Sequence, residues 1–76
     1  PSYLKSFIIK RKEPLDKIEF IKKYKSKFKE IYKTYYLNIR YSGTENKIRI
    51  LIQGPSMEII EKEIELFGML LFENKL

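Results

Sequence analysis

Apolar residues follow two different spacings along this chain, and the switches between them mark its elements. Residues 3–11 mix aromatic and β-branched side chains around Phe7-Ile8-Ile9 and read as a strand of about eight residues, with neither face clearly the buried one. Glu13-Pro14-Leu15-Asp16 then sets a proline and an acid where a helix begins, because proline tolerates the first turn and an acid complements the helix dipole. From there Leu15, Ile18, Ile21, Tyr24, Phe28 and Ile31 recur at steps of three and four while lysines take the other faces, which predicts an amphipathic helix of about five turns starting near Pro14. The spacing changes to alternation over residues 35–41 and 47–53, two half-buried strands. The turn-rich connector Ser42-Gly43-Thr44-Glu45-Asn46 makes them a hairpin.

A hairpin centred between Thr44 and Glu45 sets Tyr41 across from Ile48, Ile39 from Ile50 and Leu37 from Ile52, so one face is uniformly apolar. The same register sets Arg40 opposite Arg49. After Gly54-Pro55, Ser56 is placed to cap a second helix whose stripe is Met57, Ile60, Ile64, Phe67 and Leu71, with Gly68 expected to weaken it late. The order strand, helix, strand, strand, helix predicts a small two-layer α+β domain, its sheet antiparallel or mixed and both helices on one face.

Composition narrows the possibilities. The chain has 76 residues, enough for a single domain. It contains no histidine, so the usual neutral-pH general base is missing and catalysis by the chain alone is not expected. It contains no cysteine, which excludes disulfides and thiolate metal sites and fits a reducing, cytoplasmic setting. No apolar run approaches the roughly 18 residues of a membrane span, so no membrane partner is expected. A start at proline reads as an excised piece of something larger.

The net charge of +6 is unevenly spread: residues 1–38 hold eleven lysines and arginines against four acids, and residues 39–76 hold five against six. Such an excess fits nucleic acid, an anionic surface or a phosphorylated small molecule. Tyr32, Tyr35 and Tyr36 beside Lys29 and Lys33 offer a basic-aromatic surface for nucleic acid, but aromatics where a helix gives way to a strand are more simply the margin of a core. Glu58, Glu61, Glu63 and Glu65 are spread over several faces of the second helix and read as solvated.

Arg40 and Arg49 carry the chemistry. Like charges directly across an antiparallel ladder destabilise it, and an anion between them removes that cost. Each guanidinium is a planar fork that grips two oxygens of a phosphate. Between them, Ser42 and Thr44 supply hydroxyls, Gly43 lets backbone N–H groups approach an anion, and Asn46 adds an amide donor or pins the turn. On physics alone, two solvated arginines flanking an ordinary turn remain the simpler account.

The stretch from Arg40 to Ile52, R-Y-S-G-T-E-N-K-I-R-I-L-I, resembles the phosphate-binding signature of α-D-phosphohexomutases, R-x-S-G-T-E-x-x-x-R followed by an apolar strand. The flanking elements are similar to that family's C-terminal domain over essentially the whole chain. The resemblance implies that Arg40, Ser42, Gly43, Thr44, Asn46 and Arg49 hold the non-reacting phosphate of a hexose or hexosamine 1- or 6-phosphate, with the other domains of a parent isomerase as partners. It also implies that the phosphoserine and the magnesium ion that transfer the phosphoryl group lie in those other domains. The loop's wording favours a hexosamine phosphate over glucose or mannose phosphates. Gln53, where many relatives have glutamate, and a Pro55-Ser56 helix start without an acidic pair depart from the pattern. The rival reading is a free-standing basic module for nucleic acid, a partner the resemblance does not call for.

Overall fold

The hairpin forms in the predicted register. In the computed structural model, which describes residues 1–76, the strands are β1 (Ser2–Ile8), β2 (Tyr36–Tyr41) and β3 (Lys47–Gln53). β2 and β3 pair antiparallel, with Leu37 opposite Ile52, Ile39 opposite Ile50, Arg40 opposite Arg49 and Tyr41 opposite Ile48. β1 adds to the free side of β3, giving a three-stranded sheet of order β1-β3-β2 in which every pair is antiparallel. Alternation then sends Ile48, Ile50 and Ile52 to one face, where each is 0% exposed.

Both helices cover that face. Helix α1 (Glu19–Ile31) presents Ile21, Tyr24 and Phe28, and helix α2 (Met57–Glu73) presents Ile60, Ile64, Phe67 and Leu71. Phe67 lies at the centre, its ring 5.4 Å from that of Tyr24 and 6.2 Å from that of Phe7. Burying one such side chain contributes about 1.5–3 kcal/mol, so this shared apolar layer dominates the stability of a chain without disulfides. The other face of the sheet carries Leu4, Ser6, Arg40, Arg49 and Leu51, and no helix covers it.

Four expectations are corrected. The first strand ends at Ile8; beyond it the Ile9 N–H donates to the Asn46 carbonyl and the Lys10 N–H to the Leu76 carbonyl, so the chain leaves the sheet before Arg11. The first helix is shorter than about five turns. A 3₁₀ turn at Leu15–Lys17 is followed by Ile18 in extended backbone (φ −96°, ψ 106°) before α1 begins. The break buries Ile18 as well as Ile21, and a spacing of apolar residues cannot reveal a break that keeps both on the core side. Helix α2 runs on past Gly68 to Glu73, and the Phe7 ring packs where a Cβ on Gly68 would come within 2.8 Å of it. Within α2, Met57 is exposed, while Glu63, expected to be solvated, is 8% exposed.

The Ser56 cap forms, its Oγ accepting the Ile59 N–H at 3.3 Å. Tyr32 and Tyr35 pack on the margin of the core, and Tyr36 is exposed. No helix is long and apolar enough to cross a membrane.

Candidate functional site

Arg40 and Arg49 share the uncovered face because their neighbours Ile39, Ile48 and Ile50 point to the core. Neither arginine has an acid within ion-pair distance: the ion pairs of the chain are Arg11 with Glu13, Lys22 with Glu19 and Lys47 with Glu45. The Nε of Arg49 is buried and has no hydrogen-bond partner. A buried donor left without an acceptor costs about 1–3 kcal/mol, which adds to the cost of setting two like charges opposite each other across the ladder.

The connector is held by a few bonds of its own. The Ser42 N–H donates to the Lys47 carbonyl at 2.9 Å, the Lys47 N–H to the Glu45 carbonyl at 2.8 Å, and the Glu45 N–H to Ser42 Oγ at 3.4 Å. Ser42 is only 5% exposed, so its hydroxyl serves the turn as an acceptor while keeping a proton to donate. The N–H groups of Gly43, Thr44 and Asn46 have no acceptor within the chain, and neither do the side chains of Thr44 and Asn46 make a hydrogen bond. Gly43 has no positive φ, and a Cβ built there meets nothing within 4 Å. Nothing inside this chain therefore requires a glycine at that position.

Sequence reasoning missed the residues that brace this loop. Lys12 Nζ donates to the Ser42 carbonyl at 2.6 Å, and the Tyr41 hydroxyl donates to the Glu13 carbonyl at 2.5 Å. Burial pushes the Tyr41 phenol above its ordinary pKa. These contacts join residues 28 to 30 apart, beyond the reach of any local spacing.

A second polar cluster lies between the helices. The carboxylate of Glu63 accepts the Tyr24 hydroxyl on Oε1 at 3.2 Å and the Tyr32 hydroxyl on Oε2 at 2.9 Å. Burial, and then the Glu63 charge, push the Tyr24 phenol well up, and the hydrogen bond to Glu63 raises that of Tyr32. No three histidine, cysteine, aspartate or glutamate side chains converge in the chain.

With its β-α-β-β-α order and its arginine-flanked loop, the chain is homologous to one segment of much longer isomerases. Those relatives are phosphoglucosamine mutases. The chain is 39% identical over 66 residues to that of Campylobacter concisus (strain 13826), 41% over 70 residues to that of a Nitratiruptor species and 38% over 66 residues to that of Helicobacter pylori (strain Shi470). In each case the match takes in 86% of this chain, which spans 14% of the length of the relative. No family model matches the chain. No solved structure matches it.

Proposed function

We propose that residues 1–76 form the C-terminal, substrate-phosphate-binding domain of a multidomain phosphohexomutase, and that the Arg40–Arg49 hairpin grips the phosphate of the bound sugar that is not reacting. The observation that carries this reading is the pair of arginines set opposite each other across the ladder with no ion-paired acid, and the Nε of Arg49 buried without an acceptor. A phosphate between them supplies acceptors to both forks and offsets their repulsion. The open N–H groups of Gly43 and Thr44, the Ser42 and Thr44 hydroxyls and the Asn46 amide add donors around the same anion. Homology to phosphoglucosamine mutases supports a hexosamine phosphate as the ligand, with glucose and mannose phosphates next.

The role is positional. Holding a remote phosphate orients the sugar, so that binding energy gathered far from the reacting centre lowers the barrier there. The phosphoserine and magnesium chemistry belongs to other domains of the parent enzyme, and the isolated chain is inactive.

Titrating inorganic phosphate into the ¹⁵N-labelled chain tests the reading. Saturable amide shifts centred on residues 40–49 are expected, with a dissociation constant on the order of 1 mM because most of the sugar's contacts are missing. Glucosamine 6-phosphate should produce them and glucosamine should not. Shifts confined to the lysines of α1 would sink the proposal and point to a diffuse basic surface of the kind that nucleic acid uses.

A further inference from the structure

Lys12 reaches the loop from the stretch between β1 and the first helical turn, and the atom it meets is the Ser42 carbonyl, 2.6 Å from its Nζ. That carbonyl and the Gly43 N–H belong to one peptide group. No peptide bond in the chain is cis, so the two point in opposite directions, and a cation that fixes the carbonyl also fixes the N–H on the far side. The Gly43 N–H has no acceptor in the chain, and the space beside Gly43 is open. A charged donor on the carbonyl also draws electron density from the peptide and makes its N–H a stronger donor.

The same stretch is tied to the loop at two further points. The Ile9 N–H bonds the Asn46 carbonyl at 2.9 Å, and the Glu13 carbonyl accepts the Tyr41 hydroxyl. Residues 9–13 thus run along the connector as a strap, with Lys12 bonded to a peptide of the loop between the two arginines.

We infer that Lys12 is a positioning residue for anion binding, one that orients and polarises the Ser42–Gly43 peptide so that the Gly43 N–H donates to a phosphate; this rests on the phosphate reading above. Its ammonium acts through that peptide rather than on the phosphate itself. Loss of Lys12 therefore weakens one particular donor in addition to removing a positive charge.

The test repeats the phosphate titration on Lys12→Met, Lys12→Arg and, as a control for general loss of charge, Lys33→Met. Lys12→Met should weaken phosphate binding about tenfold and shrink the phosphate-induced shift of the Gly43 amide more than that of other loop amides. Lys12→Arg, which keeps a charged donor on the strap, should recover binding to within about twofold of the parent chain. Lys33→Met should bind as the parent does. If Lys12→Met binds phosphate like the parent, or loses no more than Lys33→Met, the role of Lys12 is wrong while the phosphate loop stands. If the parent chain shows no phosphate response at residues 40–49, the phosphate reading itself falls and takes the role of Lys12 with it.

Discussion

The two faces of the β2–β3 hairpin are built from alternate residues of the same strands, yet they obey opposite rules. On the inner face Ile39, Ile48, Ile50 and Ile52 interlock with two helices, and every side chain there has its partners within the chain. On the outer face Arg40 opposes Arg49 with no acid nearby, and a buried guanidinium nitrogen has no acceptor. The inner face stabilises the fold, whereas the outer face costs stability in the chain by itself. That one-sided cost, at a short step from a loop with free N–H groups, is what the proposed phosphate would offset.

Ile50→Ala gives the largest effect. Ile50 is 0% exposed at the middle of the central strand, and truncating such a residue costs about 2–5 kcal/mol. The urea midpoint should fall accordingly, while the phosphate affinity of the molecules that remain folded should not change. A loss under about 1 kcal/mol would mean that the inner face is not the core.

Tyr24→Phe comes next, because it tests the polar contact that the helices make above that inner face. Removing the hydroxyl takes a donor from a nearly buried carboxylate, and the expected loss is about 1–2 kcal/mol. The pH dependence follows from the raised phenol pKa of Tyr24 and Tyr32. A group whose pKa is higher in the folded state contributes stability that is fully present below its unfolded value, near 10, and is lost as pH rises toward the folded value. The parent chain should therefore lose stability above about pH 10, and Tyr24→Phe should lose less over the same window. Urea midpoints at about pH 8 and about pH 11 give both slopes, and parallel slopes would refute the coupling.

What is legible in the sequence is local. The hairpin register, the facing arginines and the Ser56 cap each depend on residues close together in the chain, and all three follow from spacing. Ends of elements are less legible: the extended Ile18 and the early exit of the chain after Ile8 are set by what those segments pack against. Contacts across 28 to 39 residues leave no trace in any local pattern, which is why the roles of Lys12 and Glu13 and the burial of Glu63 emerge only from the structure. For the loop, the residues between Arg40 and Arg49 are legible as a set, but the free N–H of Gly43 and the orphaned Nε of Arg49 require coordinates.

Arg49→Thr gives the smallest change in stability and the sharpest contrast between the faces. Threonine suits a strand, and the substitution removes both the like-charge pair and the unpartnered Nε. Against this stands the lost packing of the arginine stem, so the net effect in chloride buffer should be between no change and a gain of about 1 kcal/mol. Phosphate reverses the order. At ten times its dissociation constant it should stabilise the parent chain by about 1.4 kcal/mol through binding to the folded state alone, and the variant by much less. Melting both proteins in chloride and in phosphate at equal ionic strength measures the difference directly. If Arg49→Thr is destabilised in chloride and gains as much from phosphate as the parent does, the outer face is ordinary sheet surface and the contrast between the two faces disappears.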